Sequence, residues 1–81
     1  MKVEVLGTGC AKCNKLYDEA TRAVEASGVS AELVKVEKLD EIMAYGVMMT
    51  PALVIDGAVV CSGKVARASD IEGWLRSAAE K

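Results

Sequence analysis

Histidine is missing from all 81 residues, and phenylalanine is missing with it. The first absence excludes every mechanism that needs an imidazole, from Ser-His and Cys-His pairs to His-ligated zinc. The second leaves Tyr17, Tyr45 and Trp74 as the aromatics, so the core must be aliphatic. A basic excess is also lacking: ten Lys and Arg face twelve Asp and Glu, for a net charge of −2. That balance argues against a nucleic-acid partner. Long apolar runs are absent. Residues 44–55 are broken by Gly46, Thr50 and Pro51 and are too short to span a bilayer. The first seven residues lack the apolar segment of a secretory signal. Cysteine is scarce: three residues, an odd number, too sparse for a secreted disulfide scaffold. A cytoplasmic protein without membrane or nucleic-acid partners is expected.

What is present reads as one domain over residues 1–81, with a regular order of elements. Lys2 to Leu6 is a β-branched run that ends in Gly7-Thr8-Gly9, a strand and a turn. From Cys10 the period changes to three and four, through Cys13, Leu16, Tyr17, Ala20, Val24 and Ser27. This predicts an amphipathic helix of about 17 residues with Gly28 just past its end. Residues 30–36 read as a strand with Lys35 off the pattern. Leu39, Ile42 and Met43 mark a short second helix that Gly46 ends. Asp56-Gly57 between two β-branched runs predicts a type I′ hairpin. Ser69-x-x-Glu72 reads as a capping box before Ile71, Trp74, Leu75 and Ala78 on one face of a last helix. The order β-α-β-α-β-β-α makes an α/β fold: a mixed four-stranded sheet with helices on both faces.

The chemistry lies in Cys10-x-x-Cys13, where a strand-turn becomes a helix. First-turn amides lack partners and carry a partial positive charge, which favours a thiolate. Lys12 adds a cation between the two sulfurs. Cys13 lies within reach of Cys10 and can resolve a mixed disulfide formed there. So small a ring gains little loop entropy, and the pair should cycle instead of acting as a staple. Met48-Met49-Thr50-Pro51 then precedes a strand, with Pro51 restricting Thr50 to extended geometry.

Three stretches together carry a resemblance: Val5-Leu6-Gly7-Thr8-Gly9-Cys10-Ala11-Lys12-Cys13, then Tyr45-Gly46-Val47-Met48-Met49-Thr50-Pro51-Ala52-Leu53-Val54-Ile55, then Gly57 and Gly63. The chain resembles small thioredoxin-like and glutaredoxin-like redox-active disulfide proteins. The resemblance implies a thioredoxin-like fold and a thiol–disulfide oxidoreductase. It makes Cys10 the attacking thiol and Cys13 the resolving thiol. It implies a cis Thr50–Pro51 bond facing them, with Met49, Thr50 and Pro51 binding substrate by strand addition. Glu4, six residues before Cys10, would be the buried acid that serves proton transfer to the resolving sulfur. The implied partners are protein disulfides and a reductase that recharges the thiols; the chain would be a monomer, with no cofactor beyond the disulfide itself. Gly9 and Ala11-Lys12 replace the tryptophan and the Gly-Pro that thioredoxins usually carry there. Cys61 reads as a small thiol outside the couple.

The alternative is a soft-metal carrier, because two thiolates suit Cu(I) without histidine. Copper-binding domains with a similar Cys-x-x-Cys run β-α-β-β-α-β and end in a strand, whereas this chain has two helices before its hairpin and ends in a helix. A glutathione-dependent glutaredoxin would need a cationic, Gly-rich clamp, and Ser62-Gly63-Lys64 echoes one faintly.

Overall fold

The computed structural model describes residues 1–9, 11–47 and 49–79; Cys10, Met48, Glu80 and Lys81 lie outside the described residues. The elements are β1 (Lys2–Leu6), α1 (Ala11–Ser27), β2 (Glu32–Val36), α2 (Leu39–Ala44), β3 (Ala52–Ile55), β4 (Ala58–Ser62) and α3 (Ala68–Ala79). The strands form one sheet in the order β2-β1-β3-β4. β1 and β2 are parallel and joined through α1, while β3 runs antiparallel to β1 and to β4. This is the thioredoxin-like α/β arrangement expected.

Strand alternation divides the core in two. Val3 and Val5 of β1 point with Leu53 and Ile55 of β3 to the face that α1 and α3 cover. Leu16, Ala20, Ala23, Ile71 and Leu75 close that face without exposure to solvent. Leu6 points the other way, with Val36, Ala52 and Val54, toward Ile42 of α2. Both faces of β3 are therefore buried, which is why its four residues read as a continuous apolar run.

Gly28 takes a positive φ of 69° and ends α1 at Ser27, as the sequence predicts. Asp56 and Gly57, at φ 48° and 85°, make the two-residue hairpin turn between Ile55 and Ala58. One local expectation, the cap of the last helix, is corrected, and two details of packing stand beside it. Within the short second helix, Leu39 and Met43 are each 64% exposed, and Ile42 is its buried residue. The last helix begins at Ala68, so Ser69 lies inside the first turn instead of capping it. The amides of Asp70 and Ile71 meet the Arg67 carbonyl, each at 3.0 Å. Glu72 instead pairs with Arg76 one turn on. In β4 the register shifts between Leu53 and Val54, where Cys61 pairs with Leu53 and Val59 with Val54. The extra residue, Val60, turns outward, and Cys61 returns to the core.

Candidate functional site

The sheet register brings four chain segments to one end. Leu6, the last residue of β1, pairs with Val36 of β2 and with Ala52 of β3, and Ala52 pairs with Ser62 of β4. The turn leaving β1, the residues after β2, the loop entering β3 and Gly63 therefore emerge together. That turn leads to Cys10, which lies outside the described residues, and on into α1.

Cys13 sits in the first turn of α1 and is buried at 5% exposure. It packs directly on Gly7. A Cβ at Gly7 would collide with the Cys13 sulfur and come within 2.9 Å of its Cβ. Gly7 cannot retreat easily, because its N–H donates to the Val36 carbonyl at 3.0 Å. No acidic residue occupies the first turn of α1, so no carboxylate of that turn offsets its positive end. Lys12 is exposed beside Cys13.

Across this end of the sheet the Thr50–Pro51 peptide bond is cis. Pro51 is fully buried, and its carbonyl accepts the Gly63 N–H at 2.9 Å. Thr50 is exposed, and the β3 ladder to β1 begins only at Ala52. Met49 is 64% exposed at its outer side and rests against Gly63, where a Cβ would lie 3.1 Å from the Met49 Cβ. Met48 lies outside the described residues.

This geometry agrees with what the chain is similar to. The family model described as "Thioredoxin domain" matches residues 1–76. A thioredoxin of Methanocaldococcus jannaschii is 39% identical over 75 residues, covering 93% of this chain and 86% of that protein. A thioredoxin of Methanothermobacter thermautotrophicus is 38% identical over 75 residues, covering 93% of this chain and 97% of that one. The chain belongs to the thioredoxin family. It is therefore a member of a family of thiol–disulfide oxidoreductases. The copper-carrier reading gains no support, either from these relatives or from an element order that ends in α3.

Beside Cys13 are charged groups that sequence reasoning passed over. Lys35 and Glu37 border a void of about 10 Å³ together with Val5, Gly7, Gly9, Cys13 and Asn14. The Glu37 carboxylate comes within 3.4 Å of where a Gly9 Cβ would be. Lys35 looked off-pattern because it shares the α1 face with Leu33. Its ammonium is held over the Tyr17 ring, 4.5 Å from the centroid, which explains a cation at that position. Parity within β2 was the available signal.

Glu4 is buried, at 7% exposure, but on the face away from Cys13. Alternation along β1 places it with Lys2 and Leu6 toward α2, whereas Val3 and Val5 face α1. Its two carboxylate oxygens each accept from the Tyr45 hydroxyl at 2.7 Å. The proton-transfer role expected for Glu4 is not what this contact displays: its polar partner is a phenol on the α2 side of the sheet.

Cys61 is buried, and its thiol reaches the Lys64 carbonyl at 3.6 Å. Burial pushes the Cys61 thiol up from the usual thiol range, partly offset by the charge of Lys64. The folded chain thus holds this proton more tightly than the unfolded chain does. Its contribution to stability is present below the unfolded thiol pKa and is lost as pH rises through the folded one. Iodoacetamide at near-neutral pH should label Cys61 slowly in native protein and rapidly in urea. Fast native labelling would place Cys61 in the reactive set.

Proposed function

We propose that the chain exchanges disulfides of partner proteins through a reversible Cys10–Cys13 bond. The observation that carries this reading is the placement of Cys13. It is buried in the first turn of α1, against Gly7, at the sheet end where Thr50 and Pro51 enter β3. In the proposed cycle the Cys10 thiolate attacks one sulfur of a substrate disulfide. That S–S bond breaks, a mixed disulfide forms, and the displaced sulfur leaves as a thiolate that takes up a proton. Cys13 then loses its proton and attacks the Cys10 sulfur. The Cys10–Cys13 bond forms and the second substrate thiolate departs. The substrate has gained two electrons and the chain has lost two; a disulfide reductase returns two electrons and two protons. The thiol pair is the whole redox centre, with no further cofactor.

Lys12 favours the thiolate by its charge, and the amides of the α1 first turn do the same. Met49, Thr50 and Pro51 form the docking segment. The Thr50 backbone, ahead of the first ladder residue of β3, accepts an extended substrate as an added strand. The setting proposed is a reducing cytoplasm, with the protein as a monomer.

The test is a trap. Reduced Cys13→Ser protein mixed with insulin should accumulate a mixed disulfide that peptide mass mapping places on Cys10. Cys10→Ser should form none and lose insulin reduction. Wild-type turnover by Cys10→Ser, or stoichiometric Cu(I) uptake by a protein that reduces no disulfide, would sink the proposal.

A further inference from the structure

We infer that Tyr45 and Glu4 are a positioning pair that holds the docking loop of residues 46–51 in register with the thiols. The inference rests on the reading of that loop as the substrate-docking segment. Glu4 lies in β1, flanked on both sides by paired strands, with Val34 and Val54 as its register partners. Tyr45, 41 residues away, is the C-terminal cap of α2, where its N–H donates to the Ile42 carbonyl at 3.2 Å and the Gly46 N–H donates to the Met43 carbonyl at 2.9 Å. Gly46 follows at a positive φ of 76° and starts the loop.

The helix that carries Tyr45 is weakly held. Six residues are too few for a helix to persist by itself in water. Ile42 is its buried residue, and Leu39 and Met43 face outward. A cleft of about 450 Å³, bordered by Lys2, Glu4, Val36, Glu41, Ala44 and Tyr45, opens between this helix and the sheet. The helix end therefore has room to shift, and the hydroxyl–carboxylate contact spans that space. A carboxylate on a covered face among valines requires a hydrogen-bond partner. Tyr45 supplies it, and among the described residues no buried side-chain polar atom is left unpaired. The phenol stays a donor, since the hydrogen bond to Glu4, then burial, then the charges of Glu4 and Glu41 push its pKa up. Loss of the hydroxyl would free the start of the loop and leave Cys13 untouched on the other face.

Two substrates separate positioning from general damage: insulin, which must dock, and hydroxyethyl disulfide, which need not. Tyr45→Phe should raise KM for insulin at least fivefold with kcat within twofold, and leave the small-disulfide rate unchanged. Amide exchange should quicken in residues 39–47 and stay slow in β1. Glu4→Gln keeps an acceptor for the hydroxyl, so it should hold KM within twofold of wild type and keep the pH profile. Equal loss on both substrates in Tyr45→Phe, or a shifted pH profile in Glu4→Gln, overturns the inference. A wild type active on both substrates with an unaffected Tyr45→Phe overturns it alone. A wild type that turns over neither disulfide overturns the oxidoreductase reading first.

Discussion

Replacing Gly7 with alanine is expected to cripple disulfide exchange more than any other single methyl group added to this chain. The added carbon would occupy the space of the Cys13 sulfur. Gly7 does not depend on a positive φ, so the damage is steric and falls on the sulfur. Its backbone is pinned to Val36, and Cys13 has to move. Overpacking of this kind costs about 1–3 kcal/mol, a Tm fall of roughly 5–20 °C for a domain of this size. The rate should suffer more, because a displacement of about 1 Å at a reacting atom can cost around 100-fold. Insulin reduction measured well below the variant's Tm should fall at least tenfold. Gly28→Ala is the control. It adds about 1–2 kcal/mol of backbone strain at a left-handed position, but a Cβ there meets no neighbour. It should therefore lose stability and keep its rate. Wild-type turnover in Gly7→Ala would mean that the Cys13 sulfur is not held where the geometry requires.

Residues whose roles are set by near neighbours were legible in the sequence. The period from Cys13 to Ser27, the stop at Gly28 and the turn at Asp56-Gly57 depend on local sterics, and the chain folds there as it reads. The placement of Cys13 in the first turn of α1 and of Thr50-Pro51 ahead of β3 was legible for the same reason: each lies in a short motif at an element boundary. What escaped depends on distant partners. Glu4 and Leu6 share a face, but β1 is covered on both sides, so no polar parity tells which helix Glu4 meets. Its partner stands 41 residues later and has no local signature. The Val60 bulge and the placement of Lys35 on the α1 face were hidden likewise, because one is fixed by pairing to β3 and the other by the Tyr17 ring. Ser69-x-x-Glu72 misled because Arg67 supplies the carbonyl that starts the helix two residues earlier.

Leu16→Ala should come close to unfolding the protein. Leu16 is fully buried where α1 meets the sheet and α3, one turn after Cys13 on the same helix face. Truncating such a leucine costs about 2–5 kcal/mol, from lost transfer energy plus the cavity left behind. A chain of this length has roughly 4–12 kcal/mol in total. Urea midpoints should therefore drop by a third or more. Met43→Ala removes as many atoms from an exposed position on α2 and should change stability by less than about 0.5 kcal/mol. The two variants also differ at the site. Leu16 anchors the helix turn that presents Cys13, so its loss should speed alkylation of Cys13 even under conditions where most molecules remain folded. Met43→Ala should leave that rate alone. Equal stability losses in the two variants would mean that α1 is not the wall of the core, and an unchanged Cys13 rate in Leu16→Ala would uncouple the packing from the thiol.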